Sequence, residues 1–253
     1  MEAEEIKEIL KNHKNKPNKD LVGVMDFLRE DFDKKPVKFY NEWLYTAHIY
    51  DEGASPMHEQ LTREMVEKFI DPLNLPKNAK ILDLGCGPGY FLDAMKQREY
   101  TDVTGVTLSP GDIKFCEDKG HTIKKYDLSF LPQKDGYHDE SVDFIFLRHA
   151  LEHSPYPIFS LMEYNRVLKQ SGKIYIEVPA PDCERKHEWN LNHYSILGEQ
   201  QLAALLVRTG FNIDKFEKIE FDIGGKDEQG NDFSAREKFY CIEATKVRPL
   251  DIK

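Results

Sequence analysis

The chain has 253 residues, 40% of them hydrophobic and 32% charged, which is enough apolar sequence for one substantial core in an ordinary folded domain. Its 35 basic residues face 45 acidic ones, a formal net charge of -10, so nothing draws the whole chain to a phosphate backbone and no nucleic-acid partner is expected. Cys86, Cys116, Cys183 and Cys241 lie far apart with no CxxC pair, which argues against a disulfide framework or a structural zinc site and fits a reducing compartment.

The first residues, "MEAEEIKEIL", are acidic and lack the basic start and apolar run of a signal peptide. No apolar stretch approaches the length of a membrane span, so a cytoplasmic protein without a membrane partner is expected. Ile6, Ile9, Leu10 and His13 recur on one face of a short predicted helix over residues 2–14. "KNHKNKPNKD", with Pro17, reads as a linker. Residues 21–48 read as interrupted helix rich in aromatics, and a further helix is predicted from His58 to Ile70, stopping before Pro72. Residues 1–75 are thus expected to form a helical extension. Tyr40, Trp43, Tyr45 and Tyr50 within it suit a lid over a substrate, internal packing or a homodimer contact.

After Pro76 the pattern changes. Strands are predicted near 80–84, 102–107, 122–126, 142–147 and 173–178, and helices near 89–98, 110–119, 156–169 and 196–209. This alternation implies an α/β domain over 76–253, with a parallel sheet covered by helices on both faces. The last of those helices presents Leu202, Leu205 and Leu206 on one side and meets Gly210, a natural left-handed cap. Strands near 211–221 and 237–246 follow, joined by the polar "DIGGKDEQGNDFSARE" with no helix between them, so this pair is expected to be antiparallel. No internal repeat is evident.

Between the first strand and the first helix of this domain stands "ILDLGCGPGYFLDAM", with Gly85, Gly87 and Gly89 at every second position. Glycine lets a ligand approach the main chain closely, and the N–H groups opening a helix favour electronegative ligand atoms. A dinucleotide turn has the spacing G-x-G-x-x-G. Here Tyr90 occupies its third glycine position, which makes an NAD-dependent oxidoreductase a poor fit. Asp83 adds a negative charge suited to an ammonium group, which diphosphate recognition does not call for.

The motif resembles the first motif, E/D-x-G-x-G-x-G, of class I S-adenosylmethionine-dependent methyltransferases, and the resemblance extends over residues 76–246. It implies a Rossmann-like seven-stranded mixed sheet of order 3-2-1-4-5-7-6 whose last strand is antiparallel, with S-adenosylmethionine as cofactor. Carried over by position, Asp83, Gly85, Cys86 and Gly87 would surround the methionine end of the cofactor. Asp127 in "KKYDLSFLP" would accept from the adenine amino group, with Leu128 against the ring, and Leu147, Arg148 and His149 would flank the sulfonium centre. The family usually ends its second strand with an acidic residue that holds the ribose hydroxyls. In "VTGVTLSPGD" that place is taken by Thr107, followed by Leu108, so Ser109 or Asp112 would supply the missing acceptor.

A hydroxyl acceptor also needs a base, and histidine titrates in the useful range. His149 and His153 in "LRHALEHSPYP", and His193 in "RKHEWNLNHYS", are the candidates; His149 and Glu152 serve equally as turn-capping groups. A metal held by His149, His153, Asp182, His187 or His193 is chemically conceivable, but the spacing matches no compact metal motif and no metal is expected. Arg148 suits an anionic substrate group or a surface ion pair. The reading is a small-molecule methyltransferase acting on oxygen. The alternatives are an N-methyltransferase, a methylene transfer to lipid suggested by the "GVTLS" resemblance to cyclopropane-fatty-acid-synthase-like proteins, and a cofactor-binding regulatory scaffold.

Overall fold

The computed structural model describes residues 49, 52–226 and 232–248. The expected helix at 2–14, the linker, and the aromatic segment with Tyr40, Trp43, Tyr45 and Tyr50 lie outside the described residues.

Seven strands, β1 (Lys80–Leu84), β2 (Asp102–Val106), β3 (Thr122–Lys124), β4 (Val142–Arg148), β5 (Leu168–Pro179), β6 (Phe211–Lys226) and β7 (Asp232–Lys246), form one sheet. Its order is β3-β2-β1-β4-β5-β7-β6, as the family resemblance implied. Strands β1 to β5 run parallel, and β7 is antiparallel to both β5 and β6. The helices are α1 (Pro56–Met65), α2 (Tyr90–Gln97), α3 (Pro110–Asp118), α4 (Pro157–Val167) and α5 (Glu199–Arg208), and α1 continues as a π turn over Val66–Ile70. Among the described residues no helix is long and apolar enough to cross a membrane.

The period-two geometry of a strand explains the two cores. Leu82, Leu84, Ile145, Leu147, Ile174 and Ile176 bury on one face with Leu161, Tyr164, Leu202 and Leu206 from α4 and α5. Ile81, Phe144, Phe146 and Tyr175 alternate with them and bury on the other face with Val66, Phe69, Ile70 and Phe91. There the rings of Phe91, Phe146 and Tyr175 stack in series, with centroids 3.9 and 5.2 Å apart. The same alternation carries Asp83, Arg148 and Glu177 onto this second face at the carboxyl ends of adjacent strands β1, β4 and β5. The strand order reverses between β1 and β4, the place where open α/β sheets hold their ligands.

Helix α5 stops as expected. Gly210 takes a φ of +89°, and Leu202 and Leu206 are fully buried. The polar stretch 222–237, expected as a long loop, is instead largely ladder: pairing runs from Asp222↔Arg236 out to Lys226↔Asp232. Opposite charges facing each other across the strands favour this extension. Arg236 Nε lies 3.0 Å from Glu220 Oε2, and Lys238 Nζ 3.4 Å from Glu220 Oε1.

Candidate active site

The glycine turn is pinned beneath the second strand. The amides of Gly85 and Cys86 both donate to the Val106 carbonyl, at 2.8 and 3.1 Å. Gly85 has a φ of +78°, and a Cβ added there would lie 2.6 Å from the Ala150 Cβ, so the turn presses against the segment following β4. A Cβ on Gly87 would run into the Glu52 carboxylate. The stretch 52–55 is held over the turn in two ways: the Ser55 amide donates to the Tyr90 hydroxyl, and the Glu52 amide donates to Asp112 Oδ2 at 3.3 Å. Glu52 therefore sits above the turn, and sequence reasoning missed it because it lies far upstream of the motif.

Asp83 is 3% exposed, and its Oδ2 has no hydrogen-bond partner. Burial pushes its carboxyl well above the usual range; the Glu52 charge adds to this and Arg148 opposes it. Beyond β2, the Thr107 hydroxyl accepts the Ser109 amide at 3.2 Å. Ser109 caps α3 by accepting the Asp112 amide at 3.0 Å. Leu108 is half-buried between them, and burial lifts the Asp112 carboxyl above its ordinary value. After β3, Asp127 Oδ1 accepts the Ser129 amide at 2.7 Å, and the Leu128 side chain lies near Gly85. Cys86 packs with Leu92 and Cys116 in a small apolar cluster. Leu147 is fully buried in the main core, on the face opposite Arg148.

A charged cluster occupies the ends of β4 and β5. Glu177 is 3% exposed; its Oε1 lies 2.9 Å from Arg148 Nε and 3.0 Å from His149 Nε2, and its Oε2 accepts from the Tyr175 hydroxyl at 2.8 Å. On its other side, His149 Nδ1 is 3.5 Å from Glu152 Oε1. Burial would lower the His149 pKa, but hydrogen bonding to Glu152 and Glu177 overrides it and raises the value to about 9. At neutral pH His149 is an imidazolium with no lone pair to accept a proton. Arg148, offered by the sequence to a substrate anion, is instead committed to Glu177. The signal for Glu177 was its place in "IYIEVP", a carboxylate inside an apolar strand.

His153 and His193 meet edge to face, with centroids 4.9 Å apart. His153 Nδ1 lies 2.9 Å from the Asn192 carbonyl. A carbonyl only accepts, so Nδ1 carries a proton, and in the neutral ring Nε2 is the acceptor. His193 is pulled below its ordinary value, first by burial, with His153 and His187 adding to this and Glu152 opposing it. It stacks on His187 at 5.6 Å, whose Nε2 is 2.8 Å from Glu237 Oε2. The donor atoms of Glu152, His153 and His193 come within 4.8 Å of one another, as do those of Cys183, His187 and Glu237. His149 and Asp182 belong to neither group, and Asp182 is exposed.

Residues 57–215 match the family model described as a methyltransferase domain. The 27-O-demethylrifamycin SV methyltransferase of Amycolatopsis mediterranei is 23% identical over 185 residues, 68% of this chain and 68% of that protein. Phosphoethanolamine N-methyltransferase 3 of Arabidopsis thaliana is 26% identical over 149 residues, 54% of this chain but 30% of that protein. The crystal structure of a SAM-dependent methyltransferase from Archaeoglobus fulgidus superposes with a TM-score of 0.57 at 20% identity, covering 83% of this chain and 100% of that one. With more than half of its length matched, and the sheet order that goes with the match, the chain belongs to the methyltransferase-domain family and is a class I S-adenosylmethionine-dependent methyltransferase.

Proposed function

We propose that this methyltransferase acts on a hydroxyl oxygen of a small molecule, activated at the His153–His193 pair. The observation that carries the reading is the geometry of His153: its Nδ1 lies 2.9 Å from the Asn192 carbonyl, which leaves Nε2 as the ring's other polar atom, and its ring meets His193, a half-buried histidine whose pKa is lowered. A pair of imidazoles following β4 and β5 suits the removal of a hydroxyl proton.

The residues fit the cofactor. The unpartnered Oδ2 of Asp83 is a buried acceptor that an ammonium donor would satisfy, and a cation beside it favours its charged form. Gly85 and Gly87, without side chains, bring the turn close to Ala150 and Glu52, where a side chain would not fit. Asp127 and Leu128 would receive the adenine end, and Thr107, Ser109 and Asp112 the ribose. When bound, S-adenosylmethionine supplies a methyl group on positively charged sulfur. The chain's own contribution is to place the acceptor oxygen, to take up its proton and to keep water away.

Asp83→Asn tests the cofactor end. It removes a charge that is costly when unpaired, so S-adenosylmethionine binds roughly 10- to 100-fold more weakly in calorimetry while the Tm stays level or rises. Unchanged affinity removes Asp83 from the site. The acceptor class is tested with methyl-labelled S-adenosylmethionine and panels of phenols, sugars, hydroxy acids and amines. Label in hydroxyl-bearing acceptors is expected; label confined to amines overturns the oxygen assignment.

A further inference from the structure

We infer that Glu152, His153 and His193 form a binding site for one divalent transition-metal ion of the zinc, manganese or cobalt type. The inference gives the histidine pair the role of ligands in place of base and rests on the reading above only for the hydroxyl acceptor at this site, not for metal binding itself.

Four observations converge on the site. One donor atom from each residue lies within 4.8 Å of the other two, close enough for small adjustments to bring all three onto an ion about 2.0–2.2 Å from each. Glu152 is 1% exposed, and apart from the long contact with His149 neither of its carboxylate oxygens has a hydrogen-bond partner. Such a group is expensive to bury alone, and the His149 ring at 3.5 Å is the charged group beside it. His153 is already set as metal-bound histidines are, with one ring nitrogen donating to a backbone carbonyl and the other free to ligate.

Finally, the two loops that carry the ligands are fastened together. The Glu152 carbonyl accepts the amides of Tyr194 and Ser195 at 2.8 and 3.1 Å, and the Ser195 hydroxyl donates to the Leu151 and Ser154 carbonyls at 3.2 and 2.9 Å. These bonds hold the ligand set in place before any ion arrives.

The neighbouring group, Cys183, His187 and Glu237, is less suited. Glu237 is already engaged by His187 at 2.8 Å and by the Arg185 guanidinium at 3.1 Å. Both of its oxygens are thus taken at hydrogen-bond distance, whereas Glu152 has only the longer contact with His149.

Two imidazoles and one carboxylate favour borderline ions over magnesium or calcium, and three protein ligands leave coordination positions open. An acceptor with two neighbouring oxygens, such as a catechol or an α-hydroxy acid, would fill them. The histidine lone pairs then serve as ligands. The ion's charge, instead of ring basicity, drives the hydroxyl proton to solvent; the oxygen lone pair forms the new bond to the methyl carbon as the carbon–sulfur pair leaves on sulfur.

The full chain, stripped with chelator and dialysed, is titrated with cobalt(II) chloride in the absence of methyl donor and acceptor. One cobalt per chain is expected, with a visible d–d absorption that zinc displaces. In Glu152→Gln and His193→Asn the binding weakens by more than about tenfold. Failure of the wild-type protein to take up cobalt or zinc, or equal uptake by the variants, overturns the site. Should the variants fail to fold, pulse EPR of manganese-loaded wild-type protein decides: coupling to two imidazole nitrogens supports the site, and its absence refutes it. Calorimetry with S-adenosylmethionine, run separately, shows whether a failure lies with the metal or with the methyltransferase reading.

Discussion

Replacing Glu177 with glutamine lowers the unfolding free energy by about 3–5 kcal/mol. The side chain keeps its shape but loses the charge that faces both the Arg148 guanidinium and the His149 imidazolium, leaving two half-buried cations short of a carboxylate. Burial pushes the Glu177 carboxyl upward, yet Arg148 and His149 together hold it down at about 2. The signs fix the pH window. A carboxyl depressed from 4.5 contributes stability that is complete above pH 4.5 and lost as pH falls through about 2. An imidazole raised from 6.5 contributes stability that is complete below pH 6.5 and lost as pH rises through about 9. Urea unfolding of the wild-type and Glu177→Gln proteins across pH should therefore differ most between 4.5 and 6.5, with the gap narrowing toward 9. A gap that stays constant over that range contradicts the assignment of charge.

His153→Asn lowers kcat by about 10²–10³-fold while the Kd for S-adenosylmethionine is unchanged. Asparagine was chosen because its amide can still donate to the Asn192 carbonyl, so the loop pairing survives. What it lacks is the second ring nitrogen. A variant with weakened cofactor binding and intact turnover would make His153 a structural residue. Single-turnover measurements with a saturating acceptor separate the two outcomes, since they report the chemical step directly.

Most of the sheet was legible because its strands are apolar on both faces. "KILDL" and "VDFIFL" announce themselves as central parallel strands, and the glycine pattern marks where the first of them turns into a helix. The missing helix after Phe211 correctly signalled an antiparallel pair. The outer hairpin was not legible, since Asp222, Gly224, Ser234 and Arg236 have the composition of a loop. Pairing there rests on cross-strand charges, which only the register reveals. The site divides along the same line. Asp83, Gly85 and the histidines stand in recognisable local patterns. Glu52 reaches the turn from 31 residues before Asp83 (83 − 52 = 31), and Glu237 reaches His187 from the last strand. Such contacts are made by topology and leave no local signature. His149 shows the same limit in reverse: its position suggested a base, whereas its two buried glutamate neighbours keep it charged.

The long strand β6 has a consequence for the behaviour of the protein in solution. Among the described residues it closes one edge of the sheet over 16 residues, so one side of its backbone has no neighbouring strand there. An edge of that length is a template for β-pairing with other molecules and hence for aggregation. Three features oppose this. Lys215, Glu217, Lys218, Glu220 and Asp222 line it with charge, and the register shift between Ile213 and Lys215 breaks its regularity. Ion pairs such as Lys215 Nζ to Glu217 Oε1 at 2.9 Å also hold these side chains along the strand. Their charges work against the recruitment of another chain along a sixteen-residue edge.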